Sequence, residues 1–358
     1  MEMFDVAVVG AGPAGSTCAA FCAGAGLRTV IIEREKFPRE KVCGDCLNPA
    51  CWPVLHRLAL YEQVRNLPHG KLDAVEFITI GGRQVTVDLP RGEENEIAVK
   101  RSLFDNLVLV RARELGVAVR EESTLMALSK TAARNWKIDI VNETITARVL
   151  VGADGRNSMV ARIRNLLPRA ARERVALQAH VPLPRNFGNR VVLQLLAEGY
   201  SGQAPVNENE LNLCLVGTPP TILSLRKWAE RNFEIEPDQP WRTITPLTRA
   251  PVPSIHENLF FIGDAARVVE PFTGEGIYYA LRSGELAAIA VSKIVCGQDR
   301  QSSLREFARG LVDMYRGRLW INRLARTAVL WPRFASLLLP FAPLHPAVLR
   351  FLTNKITR

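Results

Sequence analysis

Apolar and polar positions follow two different rhythms along this chain, and the rhythm changes mark its elements. An unbroken apolar stretch from Val6 to Val9 predicts a strand buried on both faces. It runs into Gly10-Ala11-Gly12-Pro13-Ala14-Gly15, then a small-residue helix over STCAAFCAGAG, then a second strand from Arg28 to Ile32 that stops at Glu33. Two more buried strands are predicted in VLVGADG, closing on Asp154, and in LFFIGD, closing on Asp264; a turn with Pro271, Gly274 and Gly276 then opens a helix. A helix over AVKRSLFDNLVLVRAREL precedes a strand expected from Arg120 to Leu125. Elsewhere the rhythm is period two: EFITIGGRQVTVD reads as a hairpin about Gly81-Gly82, and LQAHVPL, RVVLQLL and LNLCLVG read as strands beside a short helix in SLRKWAERNF.

Composition adds little to this picture and removes several alternatives. With 47% hydrophobic and 23% charged residues, and no repeat or low-complexity tract, the 358 residues belong to an ordinary globular chain. No leader precedes the first strand, so a cytoplasmic protein is expected. Seven cysteines without regular spacing argue against a disulfide framework. The net charge of +10 is uneven: from Arg305 onward ten basic residues face two acidic ones, interleaved with Trp320, Leu324, Trp331 and Phe334. That mixture suits either solvated amphipathic helices or peripheral contact with an anionic membrane. Pro332, Arg333, Pro340, Pro343 and Pro346 interrupt any run near the roughly 20 apolar residues a membrane span needs. No nucleic-acid motif accompanies the charge, so no nucleic-acid partner is expected.

The first turn carries the chemistry. Gly10 permits a tight turn, Gly12 lets the backbone approach a pyrophosphate, Ala14 keeps the helix start small, and Gly15 lets helix and strand pack closely. The phosphates then meet the free N–H groups of a helix N-terminus, and Glu33, 18 residues beyond Gly15, is placed for ribose hydroxyls. Two further strand ends with a glycine and an aspartate exceed what a nicotinamide dinucleotide needs and suit extended FAD. Asp154 marks the first of these; Asp264 would accept from a ribityl hydroxyl. The helix opening at Gly274, Gly276 and Ile277 would turn its positive end to the flavin.

GAGPAG with Glu33, GADGRNSMVAR and GDAARVVEPFTGEGIYYALRSG resemble the three FAD fingerprints of the p-hydroxybenzoate-hydroxylase-like flavoproteins. Within that superfamily KVCGDCL is most similar to the geranylgeranyl reductase family. The resemblance implies an α/β fold: a Rossmann-like FAD-binding domain (1–71, 98–171, 250–295), an inserted mixed β-sheet substrate domain (72–97, 172–249) and C-terminal helices (296–358). It also implies that Gly44 and Cys46 contact FAD, that Cys43 borders the reaction cavity, that Arg101 reaches the ribityl or phosphate region, and that Leu125 contacts the adenine. From the residues alone, Cys43 and Cys46 read as a redox pair, half a zinc site, or small packing residues. Asn48-Pro49 disfavours the long helix of a thioredoxin-like motif, and no second CxxC or closely spaced histidine pair completes a zinc site.

One stretch departs from that family. Where its aromatic Y-x-W-x-F-P run is expected, the sequence has YSGQAP: Tyr200 and Pro205 remain, but Gly202 and Ala204 replace two large rings. Tyr200 is read either as a cavity residue or as a tyrosine at a sheet edge, and Arg267 replaces the small residue usual after GDAA. The functional expectation is an FAD-dependent oxidoreductase acting on a small hydrophobic or aromatic substrate, first as a reductase of isoprenoid C=C bonds with Cys43 or Tyr200 as proton donor. The alternative is a monooxygenase hydroxylating an aromatic or polyketide-type ring; halogenation is disfavoured because no W-x-W-x-I-P run is present. No second GxGxxG is visible, so NAD(P)H or another electron donor would bind only transiently.

Overall fold

The structure is a computed structural model that describes residues 2–90, 92–169, 174–269, 274–316 and 318–319. Pro271, the boundary expected at 171/172, and residues 320–358 of the basic, aromatic C-terminal stretch lie outside these residues.

The continuous apolar runs become the middle of an eight-stranded sheet. Its order is Ile255–His256, Leu259–Phe261, Glu143–Gly152, Glu2–Val9, Thr29–Ile32 and Ala118–Arg120, with Trp136–Ile140 and Leu125–Lys130 attached to Glu143–Gly152 as an antiparallel flap. All four central pairings are parallel: Leu259–Phe261 with Glu143–Gly152, then Glu2–Val9, Thr29–Ile32 and Ala118–Arg120 in turn. Strands covered on both faces must be apolar at every position, which is why their sequences show no alternation. Register then decides where the motifs fall. Val9 pairs with both Ile32 and Gly152, and Gly152 pairs with Phe261. The loops carrying Gly10, Glu33, Asp154 and Asp264 therefore leave the sheet side by side, at the carboxyl edge where open α/β sheets bind ligands.

Helix Pro13–Gly24 packs on this sheet and against helix Gly276–Val295. The approach at its first turn is close: a Cβ at Gly15 would lie 1.9 Å from the Gly10 carbonyl oxygen. Helix Arg101–Glu114 lies alongside, burying Phe104, Val108, Leu109 and Ala112 in the same core.

The period-two segments form a second, seven-stranded sheet. It runs Arg242–Ile244, Val175–Pro182, Glu210–Gly217, Gly199–Pro205, Arg190–Leu196, Ala74–Ile78 and Gln84–Asp88, antiparallel throughout except that Arg190–Leu196 and Ala74–Ile78 are parallel. Alternation divides its faces. Leu177, Ala179, Val181, Leu211, Leu213 and Leu215 form one core under helix Ile222–Asn232, while Ala176, Tyr200, Asn212, Cys214 and Val216 turn the other way. A small third sheet joins Cys46–Leu47, Ile97–Ala98 and Gly70–Lys71, with Ile97–Ala98 in the middle.

Two expectations require correction. The strand expected from Arg120 to Leu125 is not continuous: Ala118–Arg120 ends, residues 121–124 turn, and Leu125 opens the flap strand instead. The turn is held because Ser123 donates its N–H to the Glu33 carbonyl at 2.8 Å, a tertiary bond no local pattern announces. Tyr200 is not at a sheet edge: its strand lies between Arg190–Leu196 and Glu210–Gly217, and the residue is 4% exposed.

Candidate functional site

Between the two sheets lies a cavity whose floor is the fingerprint edge and whose roof is the alternating sheet. Of the residues singled out in the sequence, Gly12, Ala14, Cys43, Gly44, Cys46, Arg101, Tyr200, Asp264, Gly274, Gly276 and Ile277 line it. Gly10 and Gly15 sit behind that lining and shape the turn. Leu125 is buried in the core on the far side of the first sheet, with Leu128, Ile138 and Ile140.

Glu33 is buried and braces the glycine turn. Its carboxylate accepts from Ala11 N–H at 2.7 Å and from Glu35 N–H at 3.0 Å. Asp154 accepts from Val160 N–H at 3.0 Å, while its other oxygen is buried with no partner; burial raises its pKa. Asp264 is held by the Arg156 guanidinium at 3.0 Å, and Arg156 also donates to the Pro246 carbonyl. Arg101, first residue of its helix, is 6% exposed and grips Asp105 with two hydrogen bonds of 2.6 and 2.8 Å. Burial opposes its charge, but Asp105 and the Cys43 sulfur beside it outweigh that and hold its pKa above normal. Lys41 shares this end of the cavity; burial and the Arg101 charge push its pKa down to about 8.

The KVCGDC segment answers to the roof. His180 Nε2 lies 2.8 Å from Asp45 Oδ2, with Asp45 1% exposed. Asn212 Nδ2 donates to the Cys43 carbonyl at 2.7 Å, and Cys214 Sγ lies 3.3 Å from the same oxygen. Asp45 adopts φ 60°, the left-handed region, so the loop reverses sharply around it and presents Cys43 and Gly44 to the cavity. Cys43 and Cys46 are both free thiols, and Cys46 Sγ lies 3.4 Å from the Gly44 carbonyl.

Several of these residues were not singled out from the sequence. Lys41 stood within the quoted motif but looked like any surface lysine. His180 and Asn212 lie on alternating strands, yet nothing local says which face meets the cavity. Glu96, in the polar run EENEI, reads as solvated loop, but it is 8% exposed and lines the cavity.

Residues 3–182 match the model of the FAD binding domain family. The chain belongs to that family. An FAD-binding domain with this architecture makes it an FAD-dependent oxidoreductase. It is similar to the menaquinone reductase of Mycobacterium tuberculosis, 28% identical over 99% of this chain and 91% of that protein. It is also similar to digeranylgeranylglycerophospholipid reductase 1 of Methanopyrus kandleri, 25% identical over 85% and 84% of the two chains. Its fold matches the flavin-dependent brominase Bmp2 with a TM-score of 0.78 at 20% identity, covering 98% of this chain and 93% of that one.

The cavity is suited to the family's cofactor. Helices Pro13–Gly24 and Gly276–Val295 both open on it, and neither has a side-chain cap or an acidic residue in its first turn. Their orphan N–H groups and positive ends thus face a space that an anionic or carbonyl-rich ligand would fill. Space is also left at Gly12, where a Cβ would meet only Arg39 Nη2 at 3.6 Å, and at Gly44 and Gly276, where it would meet nothing within 4 Å. Among the described residues no helix is long and apolar enough to cross a membrane.

Proposed function

We propose that this FAD-dependent oxidoreductase reduces C=C bonds in an isoprenoid or related lipid-like substrate. The observation that carries the reading is the roof of the cavity. Val75, Phe77, Val87, Leu89, Val191 and Leu193 give it an apolar wall. Beside that wall Gly202 leaves a gap, since a Cβ there would meet only Leu193 Cδ2 at 3.7 Å. A chain-like apolar molecule fits such a slot, and burying it supplies about 25 cal/mol per Å² of apolar surface. Two relatives support the same substrate class, being named as reductases of menaquinone and of a digeranylgeranyl phospholipid.

The chain's own residues divide the work. Gly10, Gly12, Ala14 and Gly15 shape the turn that receives the pyrophosphate, with Arg101 and Lys41 nearby as counter-charge. Glu33 has acceptor capacity left for a ribose hydroxyl after its two backbone bonds, Leu125 and the turn before it close off the adenine end, and Asp154 supports the adjoining loop. Asp264 accepts from the ribityl chain, Gly44 and Cys46 border the flavin, and Gly274, Gly276 and Ile277 present the helix start to it. Cys43 and Tyr200 face the substrate. Bound FAD supplies two-electron hydride chemistry; the protein binds, orients and excludes water. Electrons arrive from NAD(P)H or another transient donor.

The test is anaerobic. Photoreduced protein is mixed with a geranylgeranyl lipid or isoprenoid quinone, and flavin colour and product mass are followed. Return of the yellow colour with a gain of two hydrogens in the product is expected. If colour returns only on admitting oxygen, with an oxygen atom gained by an aromatic substrate, the monooxygenase reading replaces this one.

A further inference from the structure

Glu96 differs from Asp264 and from the arginines that line the cavity. Arg101 is committed to Asp105, and Asp264 to Arg156. Among the described residues no hydrogen bond or ion pair engages Glu96, although it is 8% exposed and faces the cavity. Its position follows from the small third sheet. Cys46 pairs with Ala98, and Glu96, two residues earlier, projects to the same side. Its Oε1 lies 3.6 Å from where a Cβ on Gly274 would stand, and Cys46 Cβ lies 3.4 Å from that point. The carboxyl is thus beside the start of helix Gly276–Val295, the end of the cavity assigned above to the flavin ring.

We infer that Glu96 is a redox-linked proton site, taking up one proton at its carboxylate when the FAD beside it accepts two electrons and releasing it when those electrons leave. The physical reason is mutual repulsion. Electrons added to the flavin place negative charge next to a carboxylate that pairs with no cation among the described residues, and a proton on Oε removes one of the two charges. The groups around Glu96 reinforce this. Glu275, at the start of the helix and paired with Arg318 at 2.5 Å, adds a like charge. Burial first and the Glu96 charge second raise the pKa of Cys46, on the facing strand, and of Cys51, on the short helix Pro49–Cys51, so both thiols stay neutral and offer Glu96 no compensating charge. Burial first, and Glu275 second, push its pKa up to about 7 even before a flavin is considered. The inference depends on FAD occupying this cavity, not on the identity of the substrate.

Linkage fixes what should be measured. Below about pH 7 the carboxyl is protonated in both redox states and contributes nothing; above it, reduction draws in an extra proton. The FAD midpoint potential of the purified holoprotein, measured by dye-coupled titration from about pH 6 to about pH 9, should fall more steeply with pH in wild type than in Glu96→Gln. The two should coincide at the acid end and separate progressively at the alkaline end, with the variant more easily reduced. Glu96→Asp, which keeps the carboxyl, should restore the steeper dependence. Glu275→Gln should move the separation to lower pH, because losing a neighbouring negative charge makes Glu96 ionise sooner. Parallel lines for wild type and Glu96→Gln, whether superimposed or offset by a constant amount, would overturn the inference. So would an unshifted onset in Glu275→Gln. Neither outcome touches the substrate assignment, which the anaerobic turnover test decides separately.

Discussion

Among the described residues two carboxylates line the cavity, and their neighbours give them different tasks. Asp264 has Arg156 at 3.0 Å and faces the position assigned to the ribityl chain. Replacing it by alanine removes one charge-assisted acceptor, and FAD affinity measured by flavin fluorescence quenching should fall about 10- to 100-fold. Unchanged affinity would rule out that role. Glu96 has no such partner among the described residues, and its raised pKa is also a statement about stability. Its folded-state value, about 7, lies above the ordinary carboxyl value of 4.5, so the native state gains from holding the proton. That gain is complete below the unfolded pKa and is lost as pH rises through the folded one. Relative to wild type, FAD-free Glu96→Gln should therefore become more stable by about 2–4 kcal/mol on going from acid to pH 8, read as the change in urea-midpoint difference. A difference that does not vary with pH would contradict the assigned environment.

Elements act here through their ends. Four of the five parallel strands end in apolar runs that look alike, yet each delivers its loop to the same edge because Val9, Ile32, Gly152 and Phe261 share one register. The KVCGDC loop is different, since it has little structure of its own and is fixed by the roof strands through His180–Asp45 and Asn212–Cys43. His180→Ala leaves Asp45 buried without its partner. A loss of about 3–5 kcal/mol is expected. Burial already raises the Asp45 pKa while His180 opposes the rise, so the penalty in the variant should grow as pH increases and the carboxyl is forced to ionise. Chemical denaturation at two pH values measures this; an equal penalty at both would show that the pair is not an electrostatic tie. The same tie links the segment proposed to border the flavin to the wall proposed to face the substrate, so His180→Ala should also loosen FAD binding without altering any residue on the pyrophosphate side.

At the scale of the molecule, one cavity touches both sheets, and its ligand should couple them. FAD bound as proposed, against the fingerprint edge and the KVCGDC loop, would stabilise the folded chain by mass action, by about 2.7 kcal/mol when free FAD is a hundred times its dissociation constant. Stripping the cofactor should lower the melting temperature, and re-addition should restore it in a concentration-dependent way. A melting temperature indifferent to FAD would mean that the cavity is not its site. The basic, aromatic C-terminal stretch has two readings in sequence, and vesicles separate them: binding to anionic vesicles that weakens with salt and is absent with neutral ones is the outcome of peripheral membrane contact, and no binding that of solvated amphipathic helices.

Much of this molecule was legible without coordinates because its strongest signals are local. A strand, a glycine turn and a helix must be contiguous in sequence to cradle a phosphate, so Gly10 to Gly15, Asp154 and Asp264 announce themselves. Period-two alternation likewise identifies the strands Val175–Pro182 and Glu210–Gly217. What the sequence could not contain is the meeting of distant segments. Only register brought the three fingerprint loops to one edge. Only the strand order placed Tyr200 inside the roof rather than at its margin, and only the tertiary bond from Ser123 to Glu33 broke the strand before Leu125. Glu96 is the clearest case. Four hydrophilic residues in a loop look solvated to any local measure, and a carboxyl becomes a buried, unpaired proton site only when strands far apart in sequence close a low-dielectric space around it. Local propensity depends on neighbours in the chain, whereas desolvation and charge pairing depend on neighbours in space.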